Sequence, residues 1–198
     1  IEERRRATRI AYMNPWDGNF LGMRQGANAF ALDIGLGDKR TKDNFIKYYD
    51  GLGYYDTGIF GTDIVTRKLF EYGRADVAVK LLTASEPHGF GKWQKDGATT
   101  LWEYWFNSRS HDHPMFGAVA TYLFEYILGI KQCVGSYGFD KITISPAYVD
   151  GLDFAKGHIT TDKGVISVSY EKVNGKVTLY LEIPDGICAE ITTPLGAK

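Results

Sequence analysis

Two hydrophobic rhythms divide this chain. Up to about residue 130, apolar side chains recur at the three- and four-residue spacing of amphipathic helices. Beyond it they alternate one by one, as in strands covered on one face. Residues around 1–11 read as the end of a helix, and Asn14-Pro15-Trp16-Asp17-Gly18 is turn chemistry. Ala27, Phe30, Ala31 and Ile34 mark one face of a helix over 24–35 that Gly35 stops. Phe45, Ile46, Tyr49 and Leu52 repeat the pattern over 41–52, with Thr41 or a neighbour as cap. Tyr54 to Gly58 reads as a loop. The next helix, 62–72, turns Ile64, Val65, Leu69 and Tyr72 inward. Gly73 ends it and the segment from Arg74 to Thr83 starts another at once, which predicts an antiparallel helical hairpin.

Residues 86–100 are rich in Gly and polar groups and read as a long loop, a feature that compact domains keep for function. The segment 113–129 carries Met115, Phe116, Val119, Tyr122, Leu123, Tyr126 and Ile127 over nearly its whole circumference. That pattern predicts a helix buried on most sides, with Pro114 at its first position and His113 as N-cap. After Gly129 the period becomes two. Ile166, Val168 and Tyr170 share one face of a strand over 164–173, and Val177, Leu179, Leu181 and Ile183 share one face over 176–183. Asn174-Gly175 between them is a type I′ hairpin signal. A two-residue turn there pairs Val168 with Leu181 and Tyr170 with Leu179, so the apolar faces coincide. Further strands are expected near 141–145, 154–161 and 187–193. The organisation is therefore α+β in two blocks: helical hairpins over 1–130, then an antiparallel β-sandwich domain over 131–198. The helices lack a clear way to close a core by themselves, as expected of half a helical toroid.

Composition narrows the function classes. A chain of 198 residues makes one large domain or two small ones. With 23 basic and 24 acidic side chains the net charge is -1, which gives no electrostatic case for a nucleic-acid partner. No apolar run approaches the roughly 18–20 residues of a membrane span, so no membrane partner is expected. The first residues, Ile1-Glu2-Glu3-Arg4-Arg5-Arg6, hold neither a signal-peptide core nor an initiator Met, and the chain reads as a piece of a longer protein whose compartment is not indicated. Cys133 and Cys188 fit no metal spacing and read as buried thiols, with a single bridge as the alternative. The 13 Tyr, 11 Phe and 4 Trp fit either a Tyr-rich core or a carbohydrate site lined by flat rings.

The densest chemistry lies at Gly97-Ala98-Thr99-Thr100-Leu101-Trp102-Glu103-Tyr104-Trp105, followed by His111 and His113. Glu103 sits between two indoles. Indole walls strip water from a carboxyl group, raise its pKa and suit it to proton transfer. A solvated or ion-paired loop-end Glu is the plainer alternative. His111 and His113 flank Asp112: they form a polar helix start, a hydroxyl-binding pair, or an H-x-H metal pair lacking further ligands. Trp93 is a lid over a pocket or a packed anchor, and Asp63 reads as a first-turn helix acid. There is no Gly-rich phosphate loop, no G-x-S-x-G and no catalytic Cys setting, and no cofactor is called for.

Four runs taken together resemble a known family. They are Thr57-Gly58-Ile59-Phe60-Gly61-Thr62, then Glu71-Tyr72-Gly73-Arg74-Ala75-Asp76-Val77-Ala78, then the Gly97–Trp105 string, then His113-Pro114-Met115-Phe116-Gly117-Ala118-Val119. Their order and spacing resemble bacterial α-L-rhamnosidases of glycoside hydrolase family 78 across about residues 12–130, and 131–198 resembles that family's C-terminal β domain more loosely. The resemblance implies part of an (α/α)6 barrel and inverting hydrolysis of terminal α-L-rhamnose from a rhamnose-containing carbohydrate. It implies Glu103 as general base, His113 as a rhamnose contact, and Trp102, Trp105 and Trp93 near the sugar. The chain departs from the pattern in a short Phe106–Ser110 segment and in Asp112 where Asn is expected. It also lacks a counterpart of the acidic motif that holds the general acid, and the N-terminal β domains, so the missing N-terminal part of the parent is itself an expected partner. A non-catalytic carbohydrate-binding protein is the alternative. An uncovered inner helical face predicts homodimerisation through exposed apolar surface.

Overall fold

The computed structural model describes residues 1–193. They fall into two compact units, one spanning Ile1–Val119 and the other running from Ala120 onward. The first unit is helical: α1 (Glu2–Tyr12), α2 (Ala27–Asp33), α3 (Lys39–Leu52), α4 (Ile59–Glu71), α5 (Ala75–Leu82) and α6 (Phe90–Lys95), closed by a 3-10 turn at Pro114–Val119. The expected hairpin is present. Gly73 adopts φ +74, the left-handed geometry that stops a helix, and α5 follows at once and packs on α4.

α3 starts on a full capping box. Asp38 accepts from the Thr41 amide (3.1 Å), and Thr41 Oγ1 accepts from the Asp38 amide (3.1 Å). Thr41 is thus the reciprocal partner and Asp38 the cap. α4 begins three residues earlier than the apolar pattern suggests, with Gly58 as its N-cap, so Asp63 is the fifth helical residue rather than a first-turn acid.

The helix expected over 24–35 is shorter and turned. Met23, Gln25 and Gly26 all have positive φ, so helix can begin only at Ala27. Asn28 takes the inward position because its Oδ1 accepts the buried Phe20 amide (2.8 Å). That rotation carries Phe30 and Ile34, expected inside, to 40% and 61% exposure. Asp33 at the end of α2 meets Arg67 (2.8 Å) and Lys68 (3.3 Å) of α4. Burial pushes its carboxyl up, but those two partners outweigh the burial and hold it below the usual carboxylate range.

The segment 86–100, expected to be loop throughout, contains α6. Burying Trp93 gives this stretch a reason to coil. Two glycines let it lie against the end of α5: a Cβ at Gly89 would come within 2.3 Å of the Ala84 carbonyl oxygen, and one at Gly91 within 2.4 Å of the Thr83 carbonyl oxygen.

The single buried helix expected over 113–129 is not formed. Its residues make pieces of different pitch: the 3-10 turn at Pro114–Val119 in the first unit, then a short α turn (Ala120–Tyr122) and a π turn (Leu123–Ile127) in the second. The changes of pitch rotate successive side chains off a common stripe, so Phe116, Val119, Tyr122 and Ile127 are buried while Met115, Leu123 and Phe124 are exposed.

The second unit carries β1 (Ile130–Gln132), β2 (Lys141–Ile144), β3 (Phe154–Thr161), β4 (Gly164–Val173), β5 (Lys176–Glu182) and β6 (Cys188–Ile191). They form two three-stranded sheets, ordered β1-β2-β6 and β3-β4-β5. Pairing is antiparallel except between β2 and β6, which run parallel. β4 and β5 pair in the register that the turn dictates, Val168 with Leu181 and Tyr170 with Leu179. Asn174 (φ 52) and Gly175 (φ 76) are both left-handed, as a type I′ turn requires. Leu128, Ile130, Ile142, Ile144, Ile166 and Val168 form the core of this unit. Both cysteines are free thiols; Cys188 is exposed and Cys133 only partly buried, so neither the bridge nor the buried pair is formed.

The alternation on β4 has a measurable consequence. Ile166 is 0% exposed and Val165 is 45% exposed on the opposite face. Ile166→Ala is expected to cost about 2–5 kcal/mol in urea unfolding. Val165→Ala is expected to stay within about 0.5 kcal/mol. Equal losses at the two positions would contradict the assigned faces.

Candidate active site

The Gly97–His113 segment folds as an irregular hairpin. The His113 amide donates to the Leu101 carbonyl (2.8 Å), and the Glu103 amide donates to the Ser110 carbonyl (2.9 Å). Thr100 Oγ1 donates to the His111 carbonyl. The two arms, 100–103 and 110–113, are thereby laid side by side, which brings Glu103 and His113 onto adjoining strands of one loop. The tip is closed by Arg109, left-handed at φ 61, whose guanidinium lies over the Tyr104 ring at 5.4 Å. Glu103 accepts from the Ser110 amide through Oε2 (3.4 Å) and is partly buried.

The indoles lie inside the protein rather than open at a surface. Trp93, Trp102 and Trp105 are 3%, 4% and 5% exposed. Trp105 stacks on Tyr55 at 5.5 Å with planes 4° apart, meets Phe116 at 4.4 Å and Trp93 at 5.2 Å, and donates its indole N–H to the Thr57 carbonyl (2.7 Å). His111 covers Trp102 as a stacked ring at 4.7 Å. Trp93 is wedged among Phe90, Trp102, Trp105 and Phe116, so of its two readings it is the packed anchor. Beside it lies an open cleft of about 300 Å³ lined by Phe90, Trp93, Gln94, Ala98, Thr99, Thr100 and Leu101. Gly117 lets the Pro114–Val119 turn close on the hairpin, since a Cβ there would come within 2.7 Å of Leu101 Cδ1.

His113 itself is partly buried, and its Nε2 is buried with no hydrogen-bond partner among the described residues. A buried, unpartnered polar atom costs about 1–3 kcal/mol, and Trp93 Nε1 and the Tyr170 hydroxyl share that state with His113 Nε2. No group of three or more His, Cys, Asp or Glu side chains able to hold a metal occurs among the described residues.

One cluster was not singled out from sequence. Asp56 accepts from two neighbouring phenols, Tyr49 (2.6 Å) and Tyr48 (2.9 Å). Gly53, left-handed at φ 75, turns the chain back after α3 so that the carboxylate meets the helix it has just left. The available signal was two adjacent tyrosines followed, after a helix-stopping Gly, by an acid. Burial first, and then the hydrogen bond and charge of Asp56, push the Tyr48 phenol up to about 12. The same causes raise Tyr49 further, with the charge of Asp56 acting ahead of the hydrogen bond.

Ile1–Val119 is thus a helical unit with Glu103 and His113 on one tryptophan-backed loop, and a small β unit follows it. Comparison with known proteins identifies the class, a six-hairpin glycosidase domain followed by its C-terminal domain. Residues 2–127 match the bacterial alpha-L-rhamnosidase 6 hairpin glycosidase domain, and residues 129–198 match the bacterial alpha-L-rhamnosidase C-terminal domain. An alpha-L-rhamnosidase of Alteromonas sp. (strain LOR) is 33% identical over 149 residues, 70% of this chain and 16% of that protein. One from Formosa agariphila is 28% identical over 173 residues, covering 81% of this chain and 18% of that protein. The Streptomyces avermitilis alpha-L-rhamnosidase solved with L-rhamnose superposes with a TM-score of 0.84 at 25% identity, over 94% of this chain and 19% of that one. The Aspergillus terreus enzyme shares the fold, with a TM-score of 0.87 at 20% identity over 98% of this chain and 24% of that one. The chain belongs to the bacterial α-L-rhamnosidase family, and it spans well under a third of the length of these relatives.

The raised Tyr48 phenol fixes a sign. The folded state keeps this proton while an unfolded tyrosine loses it near pH 10. Its stabilisation is therefore complete below about pH 10 and is lost as pH rises toward 12. Urea midpoints measured from pH 9 to 11.5 are expected to fall less steeply for Tyr48→Phe than for the wild type; parallel slopes would contradict the assignment.

Proposed function

We propose that this chain is the C-terminal piece of an inverting glycoside hydrolase that removes terminal α-L-rhamnose from glycans or glycosides. Glu103 is its general base, drawing a proton from the attacking water. His113 binds a rhamnose hydroxyl. Trp93, Trp102 and Trp105 serve the sugar from beneath, as the apolar floor that holds the hairpin. The observation that carries this reading is the pairing of the 100–103 and 110–113 arms, which sets a carboxylate and an unpartnered imidazole nitrogen on one anchored loop. Family membership and the likeness to the S. avermitilis enzyme, solved with L-rhamnose, supply the choice of sugar.

Inversion needs two carboxyl groups roughly 6.5–9.5 Å apart, one to protonate the glycosidic oxygen and one to activate water on the opposite face. No acidic motif in this chain corresponds to the family's general acid, so we assign that role to a part of the parent outside it. The helical block over 1–130 then contributes one side of the barrel and 131–198 the β domain. Ile10, Phe60 and Trp16 are exposed apolar residues through which the isolated piece would self-associate.

NMR titration of the purified chain with L-rhamnose tests this. Shifts are expected at Glu103 and at Ser110 to His113, and an aryl α-L-rhamnoside should be hydrolysed no faster than in buffer. His113→Ala should weaken binding by about tenfold, the worth of one hydrogen bond. Glu103→Gln should leave binding nearly intact, because a base acts on water rather than on the resting sugar. Shifts centred elsewhere would overturn the sugar site. Sustained turnover lost in Glu103→Gln would overturn the placing of the acid outside the chain.

A further inference from the structure

The segment between α3 and α4 is tied down at every residue from Tyr55 to Thr57. Tyr55 exchanges hydrogen bonds with His88: its amide donates to the His88 carbonyl (3.2 Å), and its own carbonyl lies 2.8 Å from His88 Nδ1. Its hydroxyl meets Thr66 Oγ1 (2.7 Å), and its ring carries the stacked indole of Trp105. Thr57 Oγ1 meets Thr62 Oγ1 (3.0 Å), while the Thr57 carbonyl receives the Trp105 N–H. Asp56 lies between these two residues. Its carboxylate makes no ion pair among the described residues, and its hydrogen-bond partners there are the two phenols of α3.

Two donors from one helix on two oxygens of one carboxylate fix both its position and its rotation, which a single bond would not. The Thr57 carbonyl lies one residue on, in a short stretch of backbone also held by the Tyr55–His88 hydrogen bonds and by Thr62, whose hydroxyl donates to the same carbonyl (3.3 Å), so the Asp56 clamp completes the restraint on it from the α3 side. Trp105 reads the carbonyl's position through its N–H, and Trp105 is two residues from Glu103, just past the end of its hairpin arm. We propose that Asp56 is a positioning residue: held by Tyr48 and Tyr49, it fixes the Thr57 carbonyl beneath Trp105 and so sets where Glu103 stands in the sugar site. The idea rests on the reading of Glu103 given above, but its mechanical part, from Asp56 to Trp105 to the hairpin, does not need that reading.

The test uses the whole chain and three variants, Asp56→Ala, Asp56→Asn and Tyr48→Phe. The Trp105 indole N–H signal and the pH titration of the Glu103 carboxyl carbon are followed by NMR, together with L-rhamnose binding. In Asp56→Ala the indole proton is expected to move upfield and to exchange with solvent at least tenfold faster. The Glu103 titration should shift, and, because His113 is carried on the same hairpin, rhamnose affinity should fall several-fold. Asp56→Asn keeps one acceptor oxygen and should recover part of each effect, as should Tyr48→Phe, which removes one donor. If Asp56→Ala does not fold, the other two variants carry the same readouts. A folded variant that loses stability while the Trp105 and Glu103 signals stay at their wild-type values overturns the proposal. A wild type that ignores rhamnose, with the Trp105 and Glu103 shifts still present in the variants, overturns the sugar site and leaves the mechanical coupling standing.

Discussion

One buried hydrogen bond, from the Trp105 indole N–H to the Thr57 carbonyl at 2.7 Å, joins the two stretches of backbone on which the site depends. Neither stretch is regular secondary structure at that point, so neither could hold its shape through a helix ladder alone. Removing a partner from such a bond leaves a buried donor or acceptor unsatisfied at about 1–3 kcal/mol. The ring contacts around it add about 0.5–1.5 kcal/mol each beyond their burial. Trp105 makes such contacts with Tyr55, Phe90, Trp93 and Phe116, and so gathers the 54–57 segment, α6 and the Pro114–Val119 turn around one indole.

That arrangement alters the role of the aromatic residues. Open indole faces beside a carboxylate would bind sugar by stacking. Here the faces of Trp105 and Trp102 are occupied by Tyr55 and His111. What the indoles supply is a packed support for the hairpin that carries Glu103, which the proposed role as base needs more than it needs area: a base displaced by an ångström loses much of its effect. The strained tip at Arg109 and the unpartnered His113 nitrogen are both carried on this hairpin, where the packing beneath offsets their cost.

Much of the fold was legible because local rules and packing agree there. Asn174-Gly175 accepts the left-handed geometry of its turn, and that turn aligns Val168 with Leu181, so the register follows from composition and period together. Gly73 between α4 and α5 is equally local. The family runs were also readable as strings. What was not legible depends on partners far along the chain. Asn28 outranks Phe30 for the inside of α2 because a backbone amide at Phe20 needs it. α6 coils in a Gly-rich stretch because Trp93 has aromatic neighbours to bury against. The apolar run after Pro114 breaks into turns of different pitch, a choice hydrophobicity does not encode. Glu103 and His113 were visible as residue types; the Tyr48–Asp56–Tyr49 clamp was not, since no period marks a carboxylate whose partners lie on the preceding helix.

The central claim is that Glu103 and His113 form one sugar site on a loop anchored through Trp105. A crystal structure of the chain grown with L-rhamnose measures this most directly. The account predicts a rhamnose hydroxyl within hydrogen-bond distance of His113 and Glu103 facing the sugar across a single water, with the Trp105–Thr57 bond intact. Rhamnose bound away from both residues, or stacked on a Trp105 face freed from Tyr55, would contradict it.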